Sequence, residues 1–187
     1  MQERAIRHAL LDRLKSWNHD PQTRIVEELG LCRGEARIDV AVVNGSLQGY
    51  EIKSPEDTFE RLPQQADVYG RVFDSVALVT SEKQIQKALD IVPDWWGIFV
   101  VKSERNQTTL SVERSPNRNR EQDPRAVVEL LWKNEALDAL ALFDADKRFR
   151  HKNKREIWNA LVDMTTRTQL GEIVRSKLKN RQGWRAV

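Results

Sequence analysis

Two carboxylates and a lysine stand out by their setting: Asp39 in the apolar run Ile38-Asp39-Val40-Ala41-Val42-Val43, and the pair in Glu51-Ile52-Lys53. Side chains alternate between the faces of a strand, so Glu51 and Lys53 project to one side and Ile52 to the other. An acid in surroundings as apolar as those of Asp39 is unfavourable unless it is paired, hydrogen-bonded or bound to a metal. Mg2+ takes oxygen ligands and often only one or two protein carboxylates. The two acids therefore suit a hard divalent cation.

Whether Asp39 and Glu51 meet depends on the turn between them. Asn44-Gly45-Ser46 separates two runs of strand-forming residues, 36–43 and 47–53, which is a strong hairpin signal. A two-residue turn at Asn44-Gly45 would pair Val43 with Ser46 and set Asp39 opposite Tyr50, pointing away from Glu51. A three-residue loop with a left-handed residue and a bulge would pair Val43 with Leu47 and Asp39 with Glu51. In that register two like charges face each other, which destabilises a sheet unless a cation resolves the repulsion. Both registers are open to the sequence, and the cation chemistry needs the second.

The elements that must position these residues follow from periodicity. Ile6, Leu10, Leu14 and Trp17 lie at helical spacing, with Pro21 closing the segment. Residues 24–31 read as a strand before the hairpin. Leu62, Ala66, Tyr69 and Phe73 recur at helical intervals, and the helix is expected to begin near Pro63, where a missing N–H matters little. Residues 76–80 read as a buried strand, 82–91 as a short helix, and 95–102 with 108–114 as a second hairpin. The polar stretch 115–123 before Pro124 reads as a linker. Helices are expected over 126–142, 154–164 and 170–178. The expected organisation is an α/β core over residues 1–115 and a basic helical region over 116–187.

On these residues the chain resembles the PD-(D/E)XK nuclease superfamily. Its restriction-endonuclease-like core is an αββαβ unit with a mixed sheet, an acid on the second strand and (D/E)xK on the third. The matching residues are Asp39 in Arg37-Ile38-Asp39 and Glu51-Ile52-Lys53, with Ile38 where the superfamily's name has proline. Gln65-Ala66-Asp67-Val68-Tyr69 follows in the next helix and is similar to the QxxxY pattern of the RecB-like branch. Positions 65 and 69 share one helical face. The stretch 24–80 also resembles a compact bacterial family within that superfamily. The resemblance implies phosphodiester hydrolysis, with DNA the favoured substrate, in repair, mobile-element biology or defence. RNA cleavage on the same fold, or a non-catalytic nucleic-acid-binding module, are the alternatives. Implied as cofactor is Mg2+ or Mn2+, held by Asp39, Glu51 and the backbone carbonyl of Ile52, with Lys53 orienting the attacking water or balancing developing negative charge. Gln65 and Tyr69 would contact the metal-site water, a ligand carboxylate or the phosphate backbone. A third acid is often present in such sites; Glu28 is the first choice, with Glu27 and Glu3 as rivals.

Composition sets the wider frame. Of 187 residues, 40% are apolar and 32% charged, as in a soluble globular protein. No apolar run is long enough to span a bilayer, the first twenty residues do not resemble a secretory signal, and the single cysteine, Cys32, suits a reducing compartment as a small buried hydrophobe. A cytoplasmic protein is expected. His8, His19 and His151 are scattered, and the chain holds no zinc-ligand spacing, GxSxG elbow or P-loop. The net charge of +3 conceals an asymmetry, because residues 147–187 hold 12 basic side chains against three acidic ones. A polyanion partner for that region is expected. Lys152, Lys154, Arg155, Arg175, Lys177, Lys179 and Arg181 are the phosphate-contact candidates, beside Lys147, Arg148, Arg150 and Arg185. Trp158 and Trp184 are candidates for base stacking, although Trp158 shares helical spacing with Leu161 and Val162 and reads better as core. A homodimer or a partner protein is compatible with this reading.

Overall fold

The computed structural model describes residues 3–104 and 107–184. Six strands form one mixed sheet in the order β1-β2-β3-β4-β5-β6, accompanied by eight α-helices among the described residues. Helix α1 (Glu3–Trp17) leads into an antiparallel meander of β1 (Arg24–Leu31), β2 (Ala36–Val43) and β3 (Leu47–Lys53). Helix α2 (Leu62–Val72) then crosses over, and β4 (Ser75–Ser81) pairs parallel to β3. Helix α3 (Ile85–Ile91) makes a second crossover to β5 (Gly97–Glu104), which pairs with β6 (Gln107–Arg114) in a closing hairpin.

Both faces of the sheet are covered, which explains why β4 is a nearly unbroken apolar run. On one face, Ile6, Leu10 and Leu14 of α1 are fully buried against Val40, Val42, Tyr50, Ile52, Val79 and Phe99. On the other, α2 packs with α4 (Pro124–Val128), α5 (Lys133–Ala141), α7 (Lys154–Met164) and α8 (Arg167–Asn180) around a larger core, and α6 (Asp146–Phe149) abuts α5. Strands precede residue 115 and helices follow it, but one hydrophobic core runs through both parts.

The stretch 115–123, expected as a linker, is fastened to the core. Asn119 is buried, and its Nδ2 donates to the carbonyls of Gly70 (2.6 Å) and Phe73 (2.9 Å), while Gln122 Nε2 donates to Val72 (2.8 Å). These bonds satisfy carbonyls at the end of α2 that the helix itself leaves open. The expected single helix over 126–142 is two helices, α4 and α5. Glu135 Oε2 accepts from the Trp132 N–H at 2.7 Å, which starts a new helix there. The helix expected over 82–91 opens as a 3-10 turn at Glu82–Gln84 before α3, the short α6 has no counterpart among the expected helices, and α7 and α8 are where the periodicity places them, with α8 longer at both ends.

The hairpin has the longer of the two loops the sequence allows, but its ladder ends at Val40 and Tyr50, so Asp39 and Glu51 are not a ladder pair. Val43 pairs with Leu47 and Val40 with Tyr50, so the loop is the three residues Asn44, Gly45 and Ser46. It lacks the expected left-handed residue, since none of the three has a positive φ. Instead the Asn44 Oδ1 accepts from the Ser46 backbone N–H at 2.9 Å, a side chain imitating a backbone turn.

Candidate active site

The β2–β3 ladder stops one residue before Asp39 would meet Glu51. There the strands part, and the Asp39 Oδ2 accepts from the Ile52 N–H at 2.7 Å. On the other side of β2, a matching gap interrupts the β1–β2 ladder: Glu27 pairs with Val40 and Leu29 with Ile38, but Glu28 and Asp39 are skipped. The gap shifts the pleat. Val26 and Leu29, three apart, face the same core, as do Ile38 and Ala41, whereas a regular strand would send such residues to opposite faces. Glu28 takes φ +55°, a strained conformation for a residue with a side chain. Thus Glu28 and Asp39 together are turned out of the regular sheet.

Their neighbours complete a cleft of about 610 Å³ beyond the carboxyl end of β3, lined by Glu3, Arg7, Glu28, Asp39, Glu51 and Lys53 among others. Crevices outside the carboxyl ends of strands are where open α/β sheets usually bind ligands. Glu51 is 3% and Lys53 6% exposed, and the Lys53 Nζ donates to Glu51 Oε1 at 2.8 Å and to Gln65 Oε1 at 3.1 Å. Gln65 Nε2 donates to Glu51 Oε1 at 2.7 Å. The Tyr69 hydroxyl lies 2.7 Å from Glu51 Oε2 and 2.9 Å from the Arg37 carbonyl, two acceptors for its one proton. Burial, and then the nearby Glu51 charge, raise the Tyr69 phenol well above its ordinary range, so it is a neutral donor here. Tyr69 is fixed by stacking on Trp96 with ring centroids 5.9 Å apart.

The Asp39 carboxyl is pushed up to about 6, first by burial and then by the Glu51 charge, against the opposing pull of the Ile52 N–H and Arg7. The two acids therefore sense each other across the gap. Arg7 is the counter-charge that the sequence did not reveal. Its Nη2 lies 2.8 Å from Asp39 Oδ1, 2.9 Å from Glu28 Oε1 and 2.7 Å from Glu3 Oε1, and its Nη1 donates to the Asp39 carbonyl at 3.1 Å. Glu27 is more distant, 3.8 Å from Nη1, and half exposed. Of the three candidates for a third acid, Glu28 and Glu3 line the cleft and Glu27 does not. Arg37 pairs with Glu28 at 2.6 Å. The local trace of Arg7 is its place one turn after Glu3 on α1, which does not point to Asp39. Arg61 and Gln64, which also line the cleft, carried none.

The basic candidates are dispersed. The Arg181 side chain is 4% exposed, ion-paired with Glu135, and stacked between Trp132 and Trp184 with its guanidinium 4.4 and 4.5 Å from the two rings. It belongs to the helical core and cannot reach a phosphate, and Trp184 is occupied by it. Trp158 is buried, with Lys154 lying 4.4 Å over its ring. Lys152 pairs with Glu156 and Lys177 with Asp138, and Arg155 is exposed on α7. Arg175 and Lys179 join Arg24 in a second cleft of about 430 Å³ beside the Asn44-Gly45 loop. That cleft is five residues along β2 from Asp39, roughly 17 Å at strand rise. Arg185 lies outside the described residues.

Among the described residues no group of three or more His, Cys, Asp or Glu side chains has the geometry of a preformed metal site. No helix there is long and apolar enough to cross a membrane.

Comparison with known proteins places the chain by sequence. A solved protein of unknown function from Silicibacter pomeroyi superposes with a TM-score of 0.49 at 16% identity, covering 78% of this chain and 94% of that one. Protein cII of Enterobacteria phage P4 is 23% identical over 181 residues, 97% of this chain and 68% of the phage protein. The family model of Bacteriophage P4 protein cII matches residues 1–185, and the chain belongs to that family.

Proposed function

We propose that this protein is a metal-dependent nuclease of the PD-(D/E)XK type, cleaving phosphodiester bonds in DNA. The observation that carries the reading is the meeting of Asp39, Glu51 and Lys53 in one cleft at the parting of β2 from β3. The donor set suits a hard cation. Asp39 and Glu51 supply carboxylate oxygens with acceptor sites to spare, since each oxygen can accept more than one bond. The Ile52 N–H points at Asp39, and the carbonyl of a strand residue leaves on the same edge as its N–H. Charge agrees: among the described residues, Glu3, Glu27, Glu28, Asp39 and Glu51 are joined in ion pairs with Arg7, Arg37 and Lys53, a formal excess of two negative charges.

Asp39, Glu51 and the Ile52 carbonyl would hold Mg2+ or Mn2+, with Glu28 or Glu3 as further oxygen donors. A bound divalent cation supplies positive charge to phosphate oxygens and acidifies water. Lys53, held by Glu51 and Gln65, stands ready to orient that water or offset charge on the phosphate. Gln65 and Tyr69 act by fixing Glu51. The cleft around Arg24, Arg175 and Lys179 offers phosphate contacts at a distance, as a polymeric substrate requires. A reducing, cytoplasmic setting is part of the proposal and rests on the single free cysteine.

The test is direct. Purified protein is incubated with Mg2+ or Mn2+, or with EDTA, on plasmid, linear duplex, single-stranded DNA and RNA. Metal-dependent cleavage of DNA is expected. Asp39→Ala, Glu51→Ala and Lys53→Ala should each lower the rate by orders of magnitude in a folded protein. Wild-type-like cleavage by Glu51→Ala rejects the site, and cleavage of RNA alone reassigns the substrate.

A further inference from the structure

We propose that Arg7 is the positioning residue of this site, holding Asp39 by backbone and side chain together at the break in the β1–β2 ladder. The cation that Asp39 would present is taken from the nuclease reading; the geometry stands without it.

In a regular ladder the Asp39 carbonyl would bond to β1, but Glu28 and Asp39 are skipped. The carbonyl of Asp39 is satisfied instead by Arg7 Nη1 at 3.1 Å. The same guanidinium reaches Asp39 Oδ1 at 2.8 Å through Nη2, and the other carboxylate oxygen is left to the Ile52 N–H at 2.7 Å. Arg7 also reaches Glu28, the partner that Asp39 lost, at 2.9 Å. One planar group thus clamps both strands where they leave the sheet and fixes which way the Asp39 carboxylate points. Glu3, one turn earlier on α1, braces the guanidinium at 2.7 Å. An ammonium is a compact charge without a planar fork, so lysine would keep the charge and lose the clamp. The two terminal nitrogens of the guanidinium, Nη1 and Nη2, together reach acceptors on three elements, α1, β1 and β2.

Arg7→Lys therefore separates geometry from charge. In EDTA, backbone hydrogen exchange is read at Ile52 and, as an internal reference, at Leu78 and Val100 in the parallel ladder. Ile52 should lose protection by about tenfold relative to the references, since Asp39 is freed to swing away. A general loss of stability would speed all three alike and would refute the positioning role. Mn2+ affinity, read by titration calorimetry, should weaken by about tenfold, in the range seen when residues behind metal ligands are changed. Because the charge is retained, that loss reports geometry. Unchanged Ile52 protection together with unchanged Mn2+ affinity overturns the proposal. Should Arg7→Lys fail to fold, wild type decides: its Arg7 guanidinium protons should exchange slowly in NMR spectra and be released in Asp39→Asn. Fast-exchanging Arg7 protons in wild type overturn it equally. If wild type binds no Mn2+ that Asp39→Ala abolishes, the nuclease reading falls, while Ile52 exchange still decides the role of Arg7.

Discussion

Neutralising Glu51 tests whether the cleft is held together by its buried charges. In Glu51→Gln the volume is kept, and the neutral hydrogen bonds can be largely rebuilt. The new amide oxygen can face Lys53 and Gln65, which lie 2.8 and 2.7 Å from Glu51 Oε1. The new amide nitrogen can face the Tyr69 oxygen, whose proton then turns to the Arg37 carbonyl at 2.9 Å. What cannot be rebuilt is the counter-charge of Lys53, whose side chain is 8% exposed beside a Glu51 side chain at 4%. Leaving one member of a buried pair alone costs about 3–5 kcal/mol. At roughly 2–4 °C per kcal/mol for a chain of this size, the melting temperature should fall by roughly 6–20 °C. Removing both charges in Glu51→Gln/Lys53→Met should restore most of it, to within about 2 kcal/mol of wild type, because neutral replacements of buried pairs are often tolerated. The assay is urea and thermal unfolding of wild type, both single mutants and the double mutant in EDTA, analysed as a cycle. Single mutants that each lose less than about 1 kcal/mol, with additive effects, would refute the claim that this pair is electrostatically buried.

Four further outcomes are expected. Saturating Mn2+ should stabilise wild type by about 2.7 kcal/mol at a hundredfold excess over Kd, and Asp39→Asn should lose most of that shift; equal shifts in the two proteins would remove Asp39 from the cation site. Burial pushes the Cys32 thiol up, so the folded state resists thiolate formation and the Cys32 contribution to stability is lost as pH rises past the ordinary thiol range. Thiol reagents at pH 8 should accordingly label the protein only as it unfolds, and rapid labelling of native protein would contradict this. In salt titrations of DNA binding, Arg24→Gln and Lys179→Gln should flatten the log–log slope by about 0.9 per lost phosphate contact, whereas Arg181→Gln should leave the slope unchanged and lower stability. A Cβ at Gly97 would lie 2.8 Å from Pro116 Cδ, so Gly97→Ala should destabilise by about 1–3 kcal/mol and raise proteolytic cleavage within 115–123; wild-type resistance would show that this contact is dispensable.

Local pattern was enough for the elements. The strand limits of β1, β2 and β3, the start of α2 near Pro63, and the co-location of Gln65 and Tyr69 follow from alternation, turn residues and helical spacing, which depend on near neighbours. The sequence also marked Asp39, Glu51 and Lys53, because acids and a lysine in apolar strands need a compensating partner. It left the hairpin register open between two loop lengths, and the structure chose the longer through an Asn44 side-chain bond.

What tertiary structure alone decided depends on residues far apart in the chain. Arg7 meets Asp39 across 32 positions, and the break at Glu28 and Asp39 exists only once two strands and α1 are in contact. Residues 115–123 read as a linker because polar residues between periodic segments usually are, but here Asn119 closes carbonyls of α2 some 46–49 positions earlier. Arg181 counted as a surface cation in composition and became a buried partner of Glu135, because a helix face is assigned by what packs on it. Charge can be counted from a sequence, but where it points is settled by long-range packing, which no local spacing encodes.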